Sequence, residues 1–291
     1  MKLLAKFSLI FIVVFGLGLV ATGLVCYSLL QKTAREQVLY QAHLMMDSAL
    51  AMRSYTTTQI KPLLASKADD GVFHPQTVPA FAATEIFDNL RKIYPDYSYK
   101  EATLNPTNPR DRAADWEADI IRNFREHPDS NTKSFDGERM TPSGKSVYLA
   151  SPLRAAKGCL ECHSTPDAAP ASMIKLYGPA NGFGWKEDEI IGAQIVSVPV
   201  SLPEAIANRS FRQLMISLIL VGAVTLIVLN LVLAVTVIRP VRRFADSADR
   251  ISKGDMDVPE LPAHGKDEIS VLATAFNRMH RSLAAAMKML E

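Results

Sequence analysis

Charge is missing from two long stretches of the chain, 7–30 and 213–238, although charged residues make up 21% of its 291 positions. Each stretch exceeds the roughly 20 residues that cross about 30 Å of hydrocarbon at about 1.5 Å per residue. A buried core helix would also be uncharged, but two such runs bracketing a charged middle fit membrane spans better. The overall charge imbalance is small as well, at +2, so nothing pulls the whole chain towards nucleic acid. Cysteine is scarce, with only Cys26, Cys159 and Cys162. No second C-x-x-C and no His-x-His cluster stands elsewhere, which leaves a structural zinc site short of its four ligands.

The first stretch is longer than the 7–15 apolar residues of a usual signal-peptide core, and no small-x-small cleavage site closes it at Val25-Cys26-Tyr27-Ser28. It reads as an uncleaved anchor with a six-residue leader, 1–6. Lys2 and Lys6 precede the first span, and Arg239, Arg242 and Arg243 follow the second. Both outer ends therefore prefer the cytoplasm, and residues 31–210 lie outside it. Arg209 and Arg212 soften this asymmetry without reversing it. The expected location is a bacterial inner membrane crossed twice. Cys26, inside the first span, reads as a small packing residue.

What is present is concentrated at Gly158-Cys159-Leu160-Glu161-Cys162-His163. C-x-x-C-H is the attachment signature of a c-type haem. The spacing suits the chemistry: two thiols one turn apart add to two vinyl groups on one porphyrin edge, and the adjacent imidazole swings under the ring as an axial iron ligand. A disulfide or a thioredoxin-type redox pair shares the C-x-x-C core, and local sequence does not exclude the latter. Topology favours haem, because bacteria attach haem c outside the cytoplasm, where the charge bias independently puts His163. One motif implies one covalent haem c, bound through Cys159 and Cys162. It argues against a multihaem wire but not against a single-haem carrier.

The middle segment predicts an α+β unit. Residues 31–64 lack glycine and place Leu39, Ala42, Met46, Ala49 and Met52 at helical spacing, ending at Lys61-Pro62. A second helix is expected over 81–94, a strand over 97–102, a loop at Asn105-Pro106-Thr107-Asn108-Pro109 and a third helix over 113–125. A hairpin of strands 132–140 and 146–151 turns at Pro142-Ser143-Gly144. A glycine-rich loop spans 177–185, and a final strand spans 190–200. The order suits a small antiparallel sheet with helices on one side, a PAS-like arrangement.

Several of these positions together resemble one family: Arg53-Ser54-Tyr55-Thr56 with Ile60 and Pro62, Val78-Pro79-Ala80, Tyr94-Pro95 with Tyr97, Asn105-Pro106 with Asn108-Pro109, Trp116-Glu117, the haem motif, Tyr177-Gly178 and Gly182-Phe183-Gly184. That family is the periplasmic c-type haem sensor domains with a PAS-like fold, and the likeness covers about residues 40–200. It implies a second axial ligand on the long first helix, where some relatives use cysteine. This chain has none there, so that role does not carry over. His43, Met45, Met46 and Met52 are the ligand types available, with Met46 the first candidate and Met45 the second; an open or water-bound sixth position is the alternative. Ordinary core packing is the competing role for each methionine. Arg53 and Tyr55 are candidates for hydrogen bonds to haem propionates, although Arg53 equally suits a solvated or capping position.

After the second span the character changes. Pro240 is followed by Val241, Phe244, Ala248 and Ile251 at heptad spacing, then by Lys253-Gly254-Asp255, which breaks the helix. Val258 and Leu261 are apolar pegs in a proline-containing connector. Asp267-Glu268-Ile269 opens a second helix with Ile269, Leu272, Phe276, Met279 and Leu283 in step. This tail, 239–291, resembles a HAMP domain, with Pro240, Gly254, Glu268 and Asn277 as matching positions; a plain juxtamembrane coiled coil is the alternative. Neither helix is long enough to stand alone, so a homodimer is expected. No kinase, cyclase or methyl-accepting segment is recognised up to residue 291, so three expectations stand: a separate cytoplasmic output protein, a lost output, or a downstream part beyond this sequence.

Two functions compete. The first is a membrane sensor that relays a haem state change, set by redox poise or a diatomic gas, to the HAMP tail. The second is a membrane-anchored monohaem cytochrome for electron transfer. An enzyme such as a peroxidase lacks a distal acid–base pair in the sequence, so no catalytic residue is expected.

Overall fold

One helix, α1 (Leu3–Tyr55), carries the first uncharged stretch and runs on past it, because neither glycine nor proline occurs between residues 24 and 61. The fold is that of a computed structural model, which describes residues 3–65, 72–128, 134–263 and 265–289. Pro62 does not end the helix as expected. It has no N–H to give, and Lys61 donates instead to the carbonyl of Thr56, five residues back. The turn Thr56–Ile60 widens into a π-helix, and α2 (Lys61–Ala65) follows. Thr56, Thr57 and Thr58 donate their hydroxyls to the carbonyls of Met52, Arg53 and Ser54, each at 2.9 Å. The same device recurs before Pro240. Arg239 donates to Ala234, and a π-turn Ala234–Ile238 joins α7 (Ser201–Leu233) to α8 (Arg239–Ser252).

The chain divides into two units, residues 28–209 and residues 1–27 with 210–291. In the first lie α3 (Pro79–Arg91), β1 (Ser98–Thr103), α4 (Asp115–Glu126), β2 (Phe135–Thr141), β3 (Gly144–Arg154), α5 (Leu160–His163), α6 (Ala171–Tyr177) and β4 (Ile190–Pro199). The strands form one antiparallel sheet in the order β1-β4-β3-β2. Residues 132–133 of the expected first hairpin strand lie outside the described residues.

Helices cover both faces of this sheet rather than one. On one face, Val38, Ala42, Met46 and Ala49 of α1 and Ala83 and Phe87 of α3 pack against Tyr99, Val147, Leu149, Val196 and Val198. On the other, Ile120, Ile121 and Phe124 of α4 pack against Ala102, Ala150, Ala193 and Ile195. Strand β4 is buried along its whole length, which is why 190–200 reads as a continuous apolar run instead of an alternating one.

In the second unit, α1 and α7 are long and apolar enough to cross a membrane. Their facing contacts run antiparallel. Ser8 donates to Asn230 at 2.8 Å, the Phe15 ring lies where a Cβ on Gly222 would stand, Met215 packs on Gly23, and Tyr27 meets the Phe211 ring edge-on at 5.4 Å. A glycine where the helices approach closely is a usual device in lipid. Below α8, Gly254 takes φ +92 and ends the helix, and α9 (Glu268–Lys288) starts where the Asp267 carboxylate accepts the Ser270 N–H at 2.8 Å. Val258 and Leu261 are buried as expected. Asn277 fixes the connector from both sides, accepting from the Leu261 N–H at 2.9 Å and donating to its carbonyl at 2.8 Å. By contrast, Val241, Leu272, Met279 and Leu283 of the heptad seams remain exposed.

Candidate functional site

The C-x-x-C-H segment begins as a 3₁₀ turn, Lys157–Cys159, and ends as the single turn α5. That turn brings both thiols onto one short stretch, each half-buried and unbridged. Among the described residues, no group of three or more His, Cys, Asp or Glu side chains is placed to hold a metal ion, so Cys159, Cys162 and His163 do not converge as a zinc site would require. Burial pushes the Cys162 thiol up, with Lys61 pulling the other way. The thiols are the nucleophilic groups of this site, and His163 is its nitrogen donor.

The loop at 182–185 holds His163. Its Nδ1 lies 2.7 Å from the Gly182 carbonyl and 3.3 Å from Thr107 Oγ1. A carbonyl only accepts, so Nδ1 carries the proton and Nε2 keeps its lone pair. Trp185 stacks on the imidazole at 3.9 Å and 14°, while the N–H groups of Gly184 and Trp185 donate to the carbonyls of Ser164 and His163. Burial lowers the His163 pKa, against the opposing bond to Gly182, which keeps the ring neutral and able to bind a metal. Gly182 sits at φ +83, and a Cβ there would run into the Thr107 side chain. Gly182→Ala is expected to cost about 1–3 kcal/mol, seen as a lower midpoint in thermal unfolding of the full chain. An unchanged midpoint would show that this loop has no strict backbone requirement.

A residue of α2 also reaches the motif. Lys61 Nζ lies 2.8 Å from Glu161 Oε2, inside the C-x-x-C itself. The Arg53 guanidinium is within electrostatic range of Cys159. Arg53 is held by Glu101 of β1, which also accepts from Tyr99 Oη at 2.7 Å; Gln194 Nε2 in turn donates to Tyr99 Oη at 3.1 Å. Burial opposes the Arg53 charge, yet Glu101 and its other partners hold its pKa above the ordinary value. Burial and Glu101 also push Tyr99 well up. The next residue on that strand face is Thr103, whose buried Oγ1 has no partner among the described residues.

The remaining expected residues scatter. Met46 is 3% exposed, inside the cluster between α1 and the sheet, and Met45 and Met52 stand at its edge. Arg53 lies seven residues further on, about 10 Å along the helix axis. His43 is exposed, and so is Tyr55, at 59%. Thr107, Trp185, Lys61 and Glu101 were not among the expected site residues. The glycine-rich loop was visible in the sequence, but nothing there tied its Gly182 carbonyl to His163.

Comparison with known proteins now adds two matches. Residues 31–199 match the Tll0287-like family, described as Tll0287, and residues 232–285 match the HAMP domain. Among solved structures, the crystal structure of the cyanobacterial haem-protein Tll0287 is similar at 14% identity and a TM-score of 0.42, over 55% of this chain and 94% of that one. No curated protein matches.

Proposed function

This chain belongs to the Tll0287-like family and continues into a HAMP domain, and from that premise we propose that it is a membrane-bound haem sensor relaying a change at a covalent haem c to its HAMP helices. The observation that carries the reading is the C-x-x-C-H turn with two free thiols and a neutral imidazole whose Nε2 is unengaged, joined through α1 to a span and, through α7, to the HAMP unit. The residues present fit the group. Cys159 and Cys162 would supply the thioether sulfurs and His163, with its proton on Nδ1, the nitrogen donor for iron. When bound, haem supplies one-electron redox chemistry or an iron site for a diatomic gas.

The chain's own residues account for the relay. Gly182 fixes the imidazole tautomer. Lys61 ties the motif loop to α2, which continues α1 through the π-turn, and the buried Arg53–Glu101 pair responds to a change in nearby charge more strongly than an exposed pair would. Displacement of α1 is then carried without a break towards its N-terminus. The HAMP unit supplies the two-state element, its open seams closing on a second copy. Loop charges support a periplasmic position for residues 31–210 at a bacterial inner membrane. An electron carrier has no use for a HAMP unit. We read the protein as a homodimeric, non-catalytic sensor with a separate cytoplasmic output partner.

For the second axial position, Met46 comes first and Met45 second. Loss of the methionine-to-iron charge-transfer band in Met46→Ala but not in Met45→Ala supports the first. Its absence in the parent rejects both. The relay is tested in nanodiscs with spin labels at Leu283→Cys in a Cys26→Ala background. A shift in the distance between copies on reduction with dithionite, or on adding NO, is expected. Reversible reduction with unchanged distances in every state would favour the carrier.

A further inference from the structure

A polar cavity of about 330 Å³ lies at the β1 edge of the sheet, where α3 and the start of α4 approach, and its lining includes no residue of the C-x-x-C-H loop. Its floor is Ser98, Ile195 and Ser197, and its walls come from α3, the 109–117 segment and β2. Four cations line it, Arg91, Lys100, Arg110 and Arg139, against three carboxylates, Asp88, Asp111 and Glu117. Two of the cations are already engaged. Lys100 pairs with Glu117 at 2.6 Å, and Arg110 pairs with Glu85 at 2.6 Å, with Asp111 and Asp88 further off. Arg91 and Arg139 have no carboxylate partner among the described residues. The Arg139 guanidinium carbon lies 3.9 Å from the centroid of the Trp116 ring, and a guanidinium suits a planar, bidentate acceptor. The volume suits a small metabolite rather than a chain.

We propose that this cavity binds a small organic dicarboxylate, its two carboxylates taken by Arg91 and Arg139 and its middle resting on the serine floor. Neither guanidinium has a role in the haem reading, so the sensor unit would take a second, chemical input. Asp111 gives that input a pH dependence. Burial raises its carboxyl to about 6, with Glu101 and Asp88 adding to the rise and Arg110 and Lys100 opposing it. As pH falls towards 6 the cavity loses a negative charge, so a dianion binds more tightly at pH 6.5 than at pH 8.

Calorimetry of the full chain in detergent, with succinate as the probe and succinamide as the uncharged control at constant chloride, tests this. Succinate binding without succinamide binding is expected, with affinity falling at least tenfold in Arg139→Gln and in Arg91→Gln, and Arg139→Lys in between. Asp111→Asn should remove the difference between pH 6.5 and pH 8 while succinate still binds. No succinate binding in the parent, or parent-like affinity in Arg91→Gln, overturns the site. Arg91 lies exposed near the end of α3, so its variant carries the test even if Arg139→Gln fails to fold. The Soret spectrum separates this result from the haem reading, because it does not depend on the cavity arginines.

Discussion

Cys159→Ala combined with Cys162→Ala is expected to leave no haem stain on the chain after denaturing electrophoresis, where the parent matured beside a cytochrome c assembly system keeps one. On the proposed reading, the two thioether bonds alone would hold the group once the fold is gone. Either single variant keeps one bond and should stain weakly. His163→Ala separates tethering from ligation: it should keep the stain and lose the axial nitrogen, which changes the visible spectrum. A parent without covalent stain, or with two free thiols at 159 and 162 after maturation, would sink the reading.

The second large effect concerns Glu101, whose side chain is 4% exposed and paired with Arg53 at 22%. Removing one partner of a buried pair leaves the other charge without compensation, so Glu101→Ala is expected to cost about 3–5 kcal/mol. In a unit of this size that amounts to a fall in Tm of roughly 10 °C, measured by thermal unfolding of the full chain. Tyr99 loses its acceptor in the same variant. The double change Arg53→Met with Glu101→Met should recover most of the loss, because two apolar side chains replace the pair without an orphaned charge. A Glu101→Ala protein as stable as the parent would mean that water already reaches this pair.

The elements were largely legible because they announce themselves locally. The spans are long uncharged runs, and the hairpin turns at Pro142-Ser143-Gly144. The HAMP pegs Val258 and Leu261 fall between two heptad helices, and both are buried. Helix placement on both faces was not legible, because the α4 stripe of Ile120, Ile121 and Phe124 says that one side is buried but not against which face. The π-turns were missed for a different reason. A proline after a helical run reads as a stop, yet Lys61 and Arg239 each found a carbonyl five residues back and the helix went on.

At the site, the motif itself is contiguous and was read directly. Its supports are not contiguous. Arg53 and Glu101 are 48 residues apart, and His163 and Gly182 are 19 apart. No local spacing connects them, since the register of β1 against α1 and the course of the 177–185 loop decide both. Met46 shows the converse limit. Its sequence neighbourhood suits both a ligand and a core residue, and it is buried in the same cluster as Val147 and Val198.

The π-turn at Thr56–Ile60 also sets an angular phase. In a regular α-helix each residue advances about 100°, so positions 53 and 61, eight apart, would point about 80° away from each other. The wider turn absorbs roughly one residue, and the effective separation becomes about two full revolutions. Two positive side chains thereby come to nearly the same side of the rod, Arg53 onto Glu101 and Lys61 onto Glu161, on a rod that Pro62 would otherwise have cut short.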